Sequence, residues 1–226
     1  MRKFILLLLL TFVFFGGNVF PADTSASPRK DLSGKYEIIY GVNPDKTKYT
    51  GILQIINLGE TYKLVWKVPQ FTIYEGIGIL VDNVLCVGWN AGAHCGVVAY
   101  KIEGSKLKGK WASSKSGSIG TEDLEGPAGL GGVYKITNAY NPDTGSNYAG
   151  TVSINKNGEI YSVNWSLLSE SYSGIGILEG DLLIVSWGVG QNTGVVDYKI
   201  EDKILIGRWA TPGNTGIGIE NLSKIY

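Results

Sequence analysis

Residues 83–103 run Asn83-Val84-Leu85-Cys86-Val87-Gly88-Trp89-Asn90-Ala91-Gly92-Ala93-His94-Cys95-Gly96-Val97-Val98-Ala99-Tyr100-Lys101-Ile102-Glu103. Two short runs flank a loop, Asn90–His94. Side chains alternate along a strand, so Leu85, Val87 and Trp89 fall on one face of the first run. Val98, Tyr100 and Ile102 fall on one face of the second, with Lys101 opposite. Upstream, Tyr62, Leu64 and Trp66 repeat the pattern, with Lys63 and Lys67 opposite. Antiparallel strands with one wet face read this way.

The stretch also returns further along the chain. Gly96-Val97-Val98 recurs as Gly194-Val195-Val196, and Tyr100-Lys101-Ile102 as Tyr198-Lys199-Ile200. All six tryptophans pair in this way. Trp66 matches Trp165 (165−66 = 99), Trp89 matches Trp187 (187−89 = 98) and Trp111 matches Trp209 (209−111 = 98). Tyr36, Tyr62, Tyr74 and Tyr100 recur as Tyr134, Tyr161, Tyr172 and Tyr198, and Glu122 and Glu220 occupy one template position. A module of this size is a small domain written twice, rather than a solenoid unit. The first copy spans 33–126 and the second 131–226, joined by a Gly/Pro/Ala linker.

No window carries helical periodicity. Short alternating runs, broken by Gly, Asn, Asp and Ser, predict strands near 35–42, 49–57, 61–67, 73–81, 83–90, 96–103, 106–112 and 118–124 in copy one. Eight short strands with tight connections suggest an up-and-down meander that closes to hide its edges. The expected fold is all-β, with two tandem antiparallel eight-stranded up-and-down barrels, one per copy. Two β-sandwiches are the alternative. A single sixteen-stranded outer-membrane barrel fits less well, because such strands need about 9–11 residues.

Leu107-Lys108-Gly109-Lys110-Trp111 is similar to the Gly-x-Trp of avidin and lipocalin-like small barrels, although here it falls late in each copy. The template as a whole resembles secreted bacterial tandem-repeat proteins of unassigned function, some of them labelled fibronectin-binding. The resemblance implies small β-barrels and transfers no ligand site, biotin's included.

The chain has 226 residues, 44% of them hydrophobic, and zero formal net charge. Copy one carries 10 basic and 9 acidic residues and copy two carries 6 and 9, so neither presents the basic surface a nucleic acid would need. Arg2 and Lys3, the apolar run Ile5–Phe15 and the small residues that follow read as an export signal, here 1–26, ending near Thr24-Ser25-Ala26. The expected location is therefore secreted or periplasmic, with no membrane span after cleavage.

Export permits a disulfide. If the Asn90–His94 loop joins two paired strands, Cys86 stands opposite Cys95. The alternative is two free thiols. His94, the only histidine, adjoins Cys95. Adjacent strand residues point to opposite faces, which opposes a Cys–His nucleophilic pair. Asn43-Pro44-Asp45 and Asn141-Pro142-Asp143 are turn signatures and lack the oxygens that calcium requires.

No catalytic set, metal site or cofactor is expected. A lone Glu122 or Glu220 lacks the partner that two-carboxylate chemistry needs. It is expected to accept backbone N–H groups where the barrel closes. The candidate ligand-binding residues are Trp66, Trp89, Trp111, Trp165, Trp187, Trp209, Glu122 and Glu220, with core filling as the competing role for the rings.

The leading expectation is a non-enzymatic secreted binding protein that recognises an extracellular protein or glycan through barrel loops. A carrier of a small hydrophobic ligand in a barrel cavity is the second, and a secreted hydrolase or isomerase the third. Whether either interior holds empty space decides between the first two.

Overall fold

A computed structural model describes residues 30–69, 72–188 and 192–226. The expected export signal, 1–26, lies outside the described residues. Leu32–Tyr226 forms one compact unit. In copy one the strands are β1 (Gly34–Val42), β2 (Lys48–Tyr49), β3 (Ile52–Asn57), β4 (Tyr62–Val68), β5 (Thr72–Val81), β6 (Val84–Asn90), β7 (Cys95–Glu103), β8 (Lys106–Ser113) and β9 (Ile119–Glu125). Copy two follows with β10 (Gly132–Asn141), β11 (Ser146–Asn147), β12 (Gly150–Asn157), β13 (Ile160–Leu167), β14 (Ser171–Glu179), β15 (Leu182–Gly188), β16 (Thr193–Glu201), β17 (Ile204–Ala210) and β18 (Gly218–Lys224). The alternation located each expected strand. Only 49–57 divides, at Thr50-Gly51, into the two-residue β2 and the longer β3.

The strands close into two eight-stranded antiparallel barrels, each with one added two-residue strand. Closure runs through β1–β18 in one and β9–β10 in the other. Each seam carries a bulge, at Ile38/Tyr40 and Ile136/Asn138, which sharpens local twist as closure requires.

The allotment of one copy to one barrel is not what forms. Strand β6 pairs with β16, and β15 pairs with β7. Barrel 1 therefore takes β1 and β3–β6 from copy one and β16–β18 from copy two. Barrel 2 takes β10 and β12–β15 from copy two and β7–β9 from copy one. The Asn90–His94 loop is not a hairpin. It carries the chain from one barrel to the other, and the segment between β15 and β16 carries it back. The two crossings meet where Ala91 N–H donates to Asn192 O at 3.0 Å.

Register at the exchange is set by tryptophan lying over glycine. Trp89 stands opposite Gly194 across β6–β16, and Trp187 opposite Gly96 across β15–β7. A Cβ at Gly96 would come within 2.2 Å of the Trp187 ring, and one at Gly194 within 2.3 Å of Trp89. Trp111 over Gly120 and Trp209 over Gly218 repeat the device. Only glycine leaves room for a ring to lie flat against the neighbouring strand.

The core has three parts. Tyr36, Leu53, Tyr62, Leu64 and Val87 fill barrel 1 with Tyr198 and Leu222. Tyr100, Leu124, Tyr134 and Val163 do the same in barrel 2. The third part lies between the barrels, where Ile77, Ile79, Val97, Ile177, Ile184 and Val195 pack outer face against outer face. Strands β6, β7, β15 and β16 are consequently buried on both sides over most of their length. Each fully buried branched side chain contributes about 1.5–3 kcal/mol, so this interface is a core in its own right. It also contains Asp197, buried on β16, which accepts from the Arg208 backbone N–H at 3.0 Å and from its guanidinium.

Cys86 and Cys95 are free, buried thiols in the same interface. Of the two states the sequence left open, the free thiols are found, because the hairpin that would pair Cys86 with Cys95 does not form. Cys86 stands opposite Asp197, and Cys95 opposite Gly188.

Candidate functional site

The eight candidate residues separate into two matched groups, four to a barrel. Trp66, Trp89, Trp209 and Glu220 belong to barrel 1. Trp165, Trp187, Trp111 and Glu122 belong to barrel 2. Each group mixes the two copies, because β8, β9, β17 and β18 have changed places. Trp66 and Trp165 are the inner rings, 5% and 6% exposed, and the other four are half-buried.

Glu220 is 5% exposed and Glu122 is 3% exposed. The sequence reading assigned them backbone donors at the seam. They instead accept from side chains across the lumen. Glu220 Oε1 accepts from Trp66 Nε1 at 2.9 Å and from the Tyr198 hydroxyl, and Oε2 accepts from the Tyr49 hydroxyl at 2.9 Å. Glu122 Oε1 accepts from Trp165 Nε1 at 2.9 Å and from the Tyr100 hydroxyl, and Tyr148 stabilises its charge in the place of Tyr49. Every donor is neutral. Burial raises both carboxyls above the ordinary value, against the opposing pull of these hydrogen bonds. The same environment raises the Tyr198 and Tyr100 hydroxyls, through desolvation first and the adjacent carboxylate second.

Above Glu220 the barrel 1 lumen is not filled. A cavity of about 590 Å³ opens there, with Trp66, Trp89, Trp209, Tyr49 and Tyr74 among its walls and Glu220 in its lining. Two edge-to-face pairs build the walls. Tyr49 and Trp209 have centroids 6.3 Å apart at 77°, and Tyr74 and Trp89 have centroids 5.0 Å apart at 73°. Asn43, Lys48, Thr50 and Thr72 add a polar rim. Trp209 Nε1 is buried without an acceptor, as is Trp111 Nε1 in barrel 2. A second recess, of about 410 Å³, lies on the outside around Ser162, Asn164 and Asn214 and contains none of the candidate residues.

The tryptophans thus pack the barrel interiors, as core filling requires, and Trp66, Trp89 and Trp209 also line the cavity. Sequence reasoning missed Tyr49, which sits on a two-residue strand too short to show alternation. Its signal was the recurrence of Tyr49-x-Gly51 as Tyr148-x-Gly150. His94 is exposed in the crossing loop while Cys95 is buried. The Cys95 thiol donates to Gly88 O at 3.4 Å, and burial pushes it up to about 11. Asn43-Pro44-Asp45 forms the expected turn, with Asp45 Oδ1 accepting from Thr47 N–H at 3.0 Å.

A lone buried carboxyl among aromatic rings, open to solvent on one side, can orient a bound molecule. Among the described residues no histidine or cysteine lines the cavity. Comparison of the chain with family models, with curated proteins and with solved structures finds no match in any of the three.

Proposed function

We propose that this is a non-enzymatic binding protein that takes a small ligand into the mouth of barrel 1. The observation that carries the reading is the cavity of about 590 Å³, aromatic on its walls, with one carboxyl in its lining. Ligand sites are typically concave and apolar, with a few convergent polar groups. Of the roles left open by the sequence, this favours a carrier over recognition of a protein or glycan by loops alone. The export signal makes the working compartment the periplasm or the exterior.

The test is a titration with the apolar fluorophore N-phenyl-1-naphthylamine, read as energy transfer from tryptophan. The expected result is saturable binding that Thr50→Trp weakens at least tenfold. Thr50 is exposed at the rim, so an added ring there narrows the entrance without disturbing the core. Absence of saturable binding, or binding indifferent to Thr50→Trp, would sink the reading.

A further inference from the structure

The barrel 1 cavity has two properties that an apolar carrier does not require. The first is electrostatic. Glu220 is held by three neutral donors, and among the described residues no cation forms a salt bridge with it. A buried carboxylate is costly without a positive partner. The second property is geometric. The aromatic walls meet nearly at right angles in both pairs, 77° and 73°. A flat ligand ring is best held by parallel faces, whereas walls at right angles suit a compact, rounded group.

We infer that the ligand of barrel 1 carries a small organic cation, an alkylammonium group, that seats among these rings with Glu220 as its counter-charge. The inference rests on the ligand-cavity reading above. Aromatic rings attract a cation through the negative charge of their faces, and the attraction strengthens where water is excluded. Lys48 is the one other charged side chain among the described lining residues, and it is exposed at the rim. It opposes a cation at the entrance, so the charged head enters first and the outer end of the ligand is neutral or anionic. Glu122, Trp165, Tyr100 and Trp111 repeat the inner constellation in barrel 2.

The experiment uses three molecules of one shape: choline, its neutral carbon isostere 3,3-dimethylbutan-1-ol, and the anion 3,3-dimethylbutanoate. Each is titrated into the full chain by calorimetry and tryptophan emission. Choline is expected to bind at least tenfold more tightly than the alcohol, and the anion least. Glu220→Gln is expected to erase the preference for choline while the alcohol still binds. Glu122→Gln, in the other barrel, is expected to leave the barrel 1 preference in place. Retained binding of the alcohol or of N-phenyl-1-naphthylamine shows that the Gln variant is folded. If the alcohol or the anion equals choline, or if choline fails while N-phenyl-1-naphthylamine binds, the cation inference falls and the cavity reading survives. If the fluorophore also fails, both fall.

Discussion

The two barrels are alike at their centres and different at their mouths. Inside each, a buried glutamate gathers an indole N–H and tyrosine hydroxyls in the same arrangement. At the rim Asn43 keeps its counterpart in Asn141, but other positions differ. Lys48 of barrel 1 is matched by Asn147 in barrel 2, Pro69 by Leu168, and Thr72 by Glu170. Glu170 is exposed and accepts from the Tyr172 hydroxyl, tying it to a ring that leans on Trp187. One rim thus carries a cation and the other an anion above a common interior. The inner constellation thus belongs to the duplicated scaffold, and the two barrels diverge at their entrances.

The largest effect is expected from separating the copies. Fragments 30–128 and 129–226 each lack three strands of the barrel they begin. Each carries three equivalent strands of its own, but a lone barrel closed with them would expose the apolar outer face that Ile77, Ile79 and Val97, or Ile177, Ile184 and Val195, bury in the intact chain; neither is therefore expected to be a cooperatively folded monomer, whereas mixing them should restore a 1:1 complex with the thermal transition of the intact chain. Sedimentation and calorimetry check this, and a monomeric, cooperatively unfolding fragment would show that strand exchange is dispensable.

Next come the glutamates themselves. Glu220→Ala and Glu122→Ala each strand buried donors, at roughly 1–3 kcal/mol for each unsatisfied group. Losses of about 3 kcal/mol, equal within about 1 kcal/mol, are expected in denaturant unfolding. A much smaller loss in one barrel would break the claimed equivalence of the interiors.

Protonation gives a smaller signal. Desolvation raises both carboxyls above their ordinary value of 4.5 in the folded state. Their stabilising contribution is therefore fully present below that value and declines as the pH rises through the raised folded-state value. Relative to the Glu122→Gln/Glu220→Gln double variant, the wild-type melting temperature should fall as the pH is increased upward from 4.5. A wild-type curve that gains on the variant with rising pH would reverse the assigned sign.

Exchange of the rims by Lys48→Asn with Asn147→Lys should shift stability by no more than about 0.5 kcal/mol, as exposed substitutions usually do. It should also exchange any difference in affinity between the two barrels. Equal affinities before and after would move selectivity away from the rim. Smallest of all is the redox response. Both thiols are buried with raised pKa, so oxidant or reductant should leave the melting temperature unchanged and alkylation should await unfolding.

Much of this architecture is legible in the residues. Alternation at Tyr62, Leu64 and Trp66 locates a strand and the side that faces the lumen, and repetition marks Glu122 and Glu220 for notice. The exchange of strands is not legible, for a physical reason. Trp89 finds the same glycine environment whether it lies over Gly96 or Gly194, because the copies supply equivalent surfaces. Most positions on the exchanged strands carry the same residue, as Val97 and Val195, Val98 and Val196, and Tyr100 and Tyr198 do, although Asp197 replaces Ala99. One clue did exist. Val84-Leu85-Cys86-Val87 and Leu182-Leu183-Ile184-Val185 are apolar on both faces, whereas a solitary barrel would keep one face wet. The carboxyl–tyrosine–tryptophan bonding escaped notice because it joins residues up to 171 apart in the chain.

The seams also differ in kind. In barrel 2, β9 and β10 are consecutive strands joined by the 126–131 linker, so that seam is held by a covalent connection as well as by its ladder. In barrel 1, β1 and β18 are the outermost strands of the fold, and Lys35 bonds to both Ile225 and Tyr226 across the gap. Tension applied at the two ends therefore falls on a single line of hydrogen bonds, that of barrel 1. Barrel 2 stays shielded in the middle of the chain until that line has parted. Mechanically the molecule is a clasp with one openable side, and the openable side is the barrel that carries the cavity.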